Sequence, residues 1–369
     1  MKLAVTKEQL INGLQAVQNV VSTRSTLPVL SNILLRASEN RLELTATDLD
    51  VSVTCNVEAM VARPGAFTIP AKRFFGIVRE LTGSEIELDV DERNFCAVNC
   101  GASYFKIHGL PAEEFPNLQA FAERSRLLLP QEKVRTMLRR TVFAVSTDET
   151  RYVLNGIYFS IRDHKMTLVA TDGRRLALAD EDVDVPAETA LEFIVPNKAL
   201  TELNRLLQPK GEVELRCGEN QVAFQLKDDR GFTVLLTSKL VEGNYPNYRQ
   251  VIPSEAAERV TLVREEFLQA LRRAEIMTSD KSNSVKLTFT RNNLAITANT
   301  PDIGEARESI AINYKGRDVS IAFNPTYLMD PLKAVETDEV FFDLTDELSP
   351  GVIKINGPFL YVIMPMRTS

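Results

Sequence analysis

Apolar residues recur along this chain with two alternating periods. In VTKEQLINGLQAVQNVV, from Val5, the residues Leu10, Leu14, Val17 and Val21 fall at i, i+4, i+7 and i+11 and trace one stripe of a helix. LPQEKVRTMLRRTVFAV from Leu129 repeats the stripe through Val134, Leu138 and Val145. LVREEFLQALRRAEIMT from Leu262 repeats it through Phe267, Leu271 and Ala274. A second helix is predicted at IPAKRFFGIVREL (69–81), VPNKALTELNRLL (195–207) and FNPTYLMDPLKAV (323–335), each with a proline near its first turn, where a missing N–H is harmless. Between the helices the pattern switches to period two, as in SEIELDVDERNFCAVN, GEVELRCGENQVAFQL and GRDVSIAFN. Turn residues such as Gly83-Ser84 and Gly218-Glu219-Asn220 punctuate it. Such alternation predicts antiparallel strands with one covered face.

These landmarks keep their order and spacing. Leu10 to Val134 spans 124 residues and Val134 to Phe267 spans 133. Strand-like LELTATD (42–48) returns as MTLVATD (166–172) and, more faintly, as LAITANT (294–300), and FPNL (115–118) is echoed by YPNY (245–248). The chain therefore reads as a threefold tandem repeat, with domains at 1–124, 125–254 and 255–369 and linkers near 119–128 and 252–261. Each repeat is α+β, a strand–helix–strands piece used twice, which gives six similar pieces in all.

Composition narrows the class. Of 369 residues 44% are hydrophobic and 25% charged, as in ordinary globular chains and unlike disordered or fibrous ones. Four cysteines are too few for a disulfide framework in a chain this long. MKLAVTKEQL has no apolar signal core, and no apolar run is long enough to span a bilayer, so a reducing cytoplasm is expected.

A net charge of −7 argues on average against a nucleic-acid partner, but the charge is unevenly spread. The six predicted helices sum to +6, leaving −13 for everything else. Helices gathered on one side would make a basic face able to meet a phosphate backbone without reading sequence.

Catalytic chemistry is sparse. His108 and His164 lie in different repeats, without companions at metal-site spacing, and no phosphate-cradling glycine motif occurs. Cys96 and Cys100 share a strand face and read as buried small hydrophobes. Asp48-Leu49-Asp50 is the best enzymatic candidate, a DxD able to ligate Mg²⁺ for nucleotidyl transfer. Its competitor is structural. Asp48 and Asp172 hold the same repeat position after a strand, where Asp caps a turn. Binding surface rather than an active site is expected, with no cofactor and no metal.

With this constellation in view, the sequence resembles the β subunit of bacterial DNA polymerase III, the replicative sliding clamps, over its whole length. The motifs that carry the resemblance are STRSTLPVLSNILL (22–35), RYVLNGI (151–157), ATDGRRLA (170–177), TSKLVEGNYPNYRQVIP (237–253) and YVIMPMR (361–367). The resemblance implies a non-enzymatic processivity factor. Three tandem domains in each of two head-to-tail copies would close a ring, with helices lining a central pore and antiparallel sheets outside. It implies as partners encircled double-stranded DNA, a second copy, the polymerase α subunit, the δ subunit of the clamp loader, and other polymerases and repair proteins that dock through short linear motifs. No membrane partner is implied. A protein-only repeat scaffold and the Mg²⁺ enzyme are the competing readings.

By the same resemblance, Arg24, Lys72, Arg73, Arg79, Tyr152, Lys198 and Arg205 face DNA. Leu154, Thr171, Gly173, Arg174, Arg175, Leu176, Pro246, Val251, Tyr327, Ser349, Val362, Ile363, Met364, Pro365, Met366 and Arg367 form the partner-peptide pocket, whose methionines suit several related motifs. Phe105 and Ile107 of one copy meet Ile276 and Met277 of the other, and the acidic Asp302, Glu305 and Glu308 lie where they can pair with Lys72 or Arg73. The sequence departs from the family at Arg174, where His is common, and at Gln250, where Arg is common. Asp148-Glu149 stands where a polar amide is common, and Thr368-Ser369 extends the C-terminus.

Overall fold

The computed structural model describes residues 1–21, 27–118, 121–186, 188–228, 231–280 and 282–367. Two compact units emerge, one of Met1–Arg135 with Lys198–Leu240, the other of Thr136–Asn197 with Val241–Ser369. The central repeat is thus shared between them.

In the first unit, a five-stranded sheet runs in the order Met60–Arg63, Lys2–Thr6, Glu85–Val90, Phe95–Cys100, Ser103–His108. An eight-stranded sheet runs Gly65–Pro70, Asn32–Ser38, Arg41–Thr47, Val51–Glu58, Thr233–Lys239, Gln221–Lys227, Glu212–Cys217, Ser125–Pro130. In the second unit, the eight-stranded sheet runs Ala190–Pro196, Gly156–Arg162, Lys165–Thr171, Arg175–Asp182, Phe359–Ile363, Gly351–Lys354, Glu339–Leu344, Glu258–Val263. A four-stranded sheet follows, Gly304–Ala311, Asn293–Thr300, Val285–Thr290, Val319–Phe323. The two eight-stranded sheets have one topology, displaced along the chain by a repeat.

Six α-helices lie among the described residues: α1 (Lys7–Val17), α2 (Ala71–Glu80), α3 (Gln131–Thr141), α4 (Asn197–Leu206), α5 (Arg264–Glu275) and α6 (Pro325–Ala334). Every stripe residue that predicted the first helices is buried, from Leu10 and Leu14 to Phe267 and Leu271. Val21 and Val145 are buried beyond the helix ends, because α1 stops at Val17 and α3 at Thr141.

The repeat extends to helix capping. Lys7, Gln131 and Arg264 open the first helix of each repeat, and each side chain reaches the C-terminal end of that repeat's second helix. Lys7 Nζ donates to the Arg79 carbonyl at 3.0 Å and also to that of Leu81. Gln131 accepts from the Gln208 N–H at 2.8 Å and donates to the Glu212 carbonyl at 3.1 Å. Arg264 donates to the Leu332 and Thr337 carbonyls at 3.1 and 2.8 Å. Lys7 and Arg264 thereby satisfy carbonyls at the end of the second helix, whereas Gln131 ties down the turn between α4 and the strand that starts at Glu212.

The four cysteines are buried and unbridged. Burial pushes the Cys55, Cys96 and Cys217 thiols up to about 12, so they pack as hydrophobes rather than react.

Candidate partner-binding and nucleic-acid-facing sites

In the second unit, strand Arg175–Asp182 pairs with Phe359–Ile363, setting Leu176 opposite Val362 and Arg175 opposite Ile363. This pairing joins ATDGRRLA to YVIMPMR, two motifs nearly 200 residues apart. Val169, Leu176, Val352 and Val362 form a buried cluster, and Tyr158, Tyr245, Tyr248 and Ile252 pack against it. The YPNYRQVI segment is thus held beside the same two strands.

The pocket candidates sort by exposure. Leu154, Leu176, Val362 and Ile363 are buried and form a floor. Thr171, Tyr327, Ser349 and Pro365 are half-buried. Gly173, Arg174, Pro246, Val251, Met364, Met366 and Arg367 are exposed. Val251 at 48%, Met364 at 43% and Met366 at 39% are exposed apolar side chains, as is Leu348 at 79%. The Met364 N–H donates to the Arg174 carbonyl at 2.9 Å, and that of Met366 to the Ala322 carbonyl at 2.7 Å, so the terminal segment is pinned by its backbone while its thioethers face outward.

Arg175 organises what lies beneath. Its side chain is only 10% exposed, and it bonds Asp172 at 3.0 Å, Asp330 of α6 at 2.5 Å and the Phe143 carbonyl at 2.5 Å. The guanidinium also stacks on Tyr327, 4.2 Å from the ring centroid. Burial opposes its charge, but the carboxylates of Asp330 and Asp172 outweigh that and hold it firmly protonated. Arg151 adds a tie, donating to the Asp172 carbonyl at 2.8 Å and to the Asp148 carboxylate at 3.0 Å. Asp148, whose carboxyl is held below its ordinary range by bonds from Thr150 and Arg151, caps the turn leading to exposed Tyr152. Asp330 and Phe143 were not foreseen in this site.

Among the DNA-facing candidates, Lys72, Arg73 and Arg79 lie exposed on α2, with Arg79 bonded to Glu80 at 2.9 Å. Lys198 is exposed and bonded to Asp48. Arg205 donates to the carbonyls of Gln15 and Ala16 at 2.9 and 2.8 Å near the end of α1, and to Glu202 at 2.9 Å. Arg24 lies outside the described residues. With the observed helix bounds the six helices still sum to +6.

Three family models match in order: DNA polymerase III β subunit N-terminal domain over 1–119, central domain over 128–247 and C-terminal domain over 249–367. A Chlamydia pneumoniae β sliding clamp is 36% identical over 367 residues, covering 100% of this chain and 99% of the relative. A Pseudomonas aeruginosa clamp bound to griselimycin superposes with a TM-score of 0.94 at 35% identity, and a Bacillus subtilis clamp with 0.94 at 30%, both covering 100% of each chain.

This chain belongs to the β sliding clamp family. It is a processivity factor of DNA polymerase III and a non-catalytic subunit, with the three-domain α+β clamp fold. No described helix is long and apolar enough to cross a membrane.

The DxD of this family member acts as a turn. Asp48 Oδ1 accepts from the N–H groups of Asp50 and Val51 at 3.0 and 2.7 Å, its other oxygen meets Lys198, and Asp50 pairs with Lys239 at 2.9 Å. Among the described residues no group of three His, Cys, Asp or Glu is gathered to hold a metal. At the proposed seam, Ile276 is 73% and Phe105 39% exposed, Met277 is half-buried, and Ile107 is buried in its own repeat. Glu308 is engaged by Arg273 at 2.6 and 2.9 Å within the same copy.

Proposed function

We propose that two copies of this chain associate head to tail into a closed ring that encircles duplex DNA and slides on it, tethering the polymerase through the pocket beside Met364 and Met366. The observation that carries this reading is a pair of open sheet edges. Ser103–His108 ends the five-stranded sheet and Gly304–Ala311 ends the four-stranded one, each presenting unpaired backbone groups. Joining such edges between copies, with Phe105 against Ile276 and Met277 while Ile107 fills its own repeat's core, would remove both and cover the exposed Ile276.

In this reading the three repeats serve as domains at 1–124, 125–254 and 255–369, and the six helices carry the basic charge toward the duplex. Contacts to phosphate alone, through Arg24, Lys72, Arg73, Arg79, Lys198 and Arg205 with Tyr152 beside them, hold DNA without fixing its position. The polymerase α subunit, the loader's δ subunit, and other polymerases and repair proteins would compete for one apolar pocket through short linear motifs.

Sedimentation of the full chain tests the seam. The native protein is expected to run as a dimer and Ile276→Asp as a folded monomer, since the residue is solvent-facing within its own copy. A native monomer, or an undisturbed Ile276→Asp dimer, would overturn the seam.

A further inference from the structure

The turn at Thr47–Val51 in the first unit reproduces the pocket turn at Thr171–Arg175 bond for bond. Thr47 Oγ1 donates to the Val51 carbonyl at 3.0 Å, as Thr171 Oγ1 does to that of Arg175 at 2.6 Å. The Leu49 N–H donates to Thr47 Oγ1 at 3.0 Å, as that of Gly173 does to Thr171 Oγ1 at 3.1 Å. Asp48 and Asp172 each accept two N–H bonds from the residues that follow them. Even the strand pairing agrees: the Lys239 N–H meets the Asp50 carbonyl at 2.9 Å, as that of Met364 meets the Arg174 carbonyl at 2.9 Å. Beside the first turn lies a groove of about 430 Å³, where Leu49, Pro116, Leu118, Phe121 and Leu235 alternate with hydroxyl and amide side chains and the paired Asp50 and Lys239.

Leu49 is the anomaly in this groove. It stands at φ +82°, where its counterpart is Gly173 at φ +86°. A leucine in the left-handed region is strained, because its Cβ crowds the following carbonyl oxygen. Here the strain leaves the side chain 47% exposed, with Leu118 also 45% exposed on the groove lining. The turn's own bonds require the positive φ, as at Gly173, but they do not require a leucine, and a half-exposed apolar side chain at a position that favours glycine points to a contact made with something else.

Charge selects the occupant. Asp50 and Lys239 neutralise one another at 2.9 Å, whereas their counterparts beside the other turn are Arg174, which is exposed, and Met364. An acidic segment would find an exposed arginine at the pocket in the second unit, but only a self-neutralised ion pair here, which favours an uncharged occupant. We propose that this groove is a second docking site, for a short, uncharged, apolar peptide segment of a partner protein in extended form. The class of ligand rests on the peptide reading of the other pocket; the groove's geometry does not.

The test is methyl NMR on the full chain with labelled leucine and methionine, titrated with the capped peptide acetyl-Ser-Leu-Ser-Leu-Ser-Phe-amide. Saturable shifts of the Leu49, Leu118 and Leu235 methyls are expected. Leu49→Gly, in which the relieved strain offsets glycine's added chain entropy, should weaken binding reported by Leu118 and Leu235 by about fivefold or more. A Glu-for-Phe probe should lose more affinity at Leu49 than at Met364 and Met366. Unmoved Leu49 and Leu118 methyls, or undiminished binding by Leu49→Gly, would overturn the site. So would concentration-dependent shifts without peptide that Leu49→Gly abolishes, since a second copy would then be the occupant. Failure of the other pocket would appear separately, as unmoved Met364 and Met366 methyls.

Discussion

The hydroxyl of Tyr361 donates to the main-chain carbonyl of Tyr327 at 2.8 Å. Pro331 stands four residues after Tyr327 inside α6 and has no N–H to offer, so the helix leaves that carbonyl without its usual donor. Tyr361 fills the gap from the neighbouring strand. The phenol is fully buried, and burial pushes its titration well above the ordinary range, so it stays a donor. Tyr361→Phe should lower unfolding free energy by ~1–3 kcal/mol, read from urea denaturation. Undiminished stability would mean that another donor reaches the carbonyl.

Arg175 supports the pocket rather than lining it, since most of its donors are spent on Asp172, Asp330 and the Phe143 carbonyl. Arg175→Met leaves Asp330 and Asp172 without their shared counter-ion and should cost ~3–5 kcal/mol. Arg175→Lys should recover part of the stability but not the forked geometry or the stacking on Tyr327. Denaturation of the two variants, compared with their peptide affinity, checks this. Equal behaviour of the two would show that charge alone recovers nothing and that the forked, stacked guanidinium is what matters.

Asp343 makes stability depend on acidity. Burial alone would raise its pKa, but Arg259 at 2.6 and 2.9 Å and Lys354 at 2.9 Å hold the carboxyl below its ordinary range. A depressed carboxyl pKa means the unfolded chain takes up the proton first as pH falls. The contribution is therefore full above about pH 4 and is lost as pH drops through the folded-state value. Asp343→Asn should be less stable at neutral pH and should show a shallower acid decline. Parallel melting curves from pH 7 down to 3 would rule out Asp343 as a source of acid sensitivity.

Removing Met364 to Ser369 deletes the exposed thioethers and leaves strand Phe359–Ile363 in place. The truncated chain should remain a dimer and lose polymerase and peptide binding by about a hundredfold or more. A pull-down with sedimentation in parallel checks both halves, and retained binding would place the pocket elsewhere.

The repeat was legible because burial fixes period: Leu10, Leu14, Phe267 and Leu271 had to face a core, and they do. The caps by Lys7, Gln131 and Arg264 were not legible, because they join residues some 70 to 80 positions apart through unlike side chains. Sequence pattern also marks repeats rather than contacts. It therefore missed that the eight-stranded sheets each mix strands of two repeats, and that the central repeat divides between two compact units. For the site, ATDGRRLA and YVIMPMR were found as separate motifs, and their register follows only from the strand pairing Leu176–Val362. The turn role of Asp48 could be read from its match to Asp172. The left-handed Leu49 could not, since nothing in a leucine announces φ above zero.

A topological tether holds by closure, not by affinity. The most direct test loads the protein with its loader onto nicked circular DNA, removes free protein by gel filtration, and cuts the circle with a single-site nuclease. Protein that stays with the intact circle and leaves within minutes of the cut is the expected result. Equal retention before and after cutting, or no retention on the circle at all, would contradict encirclement.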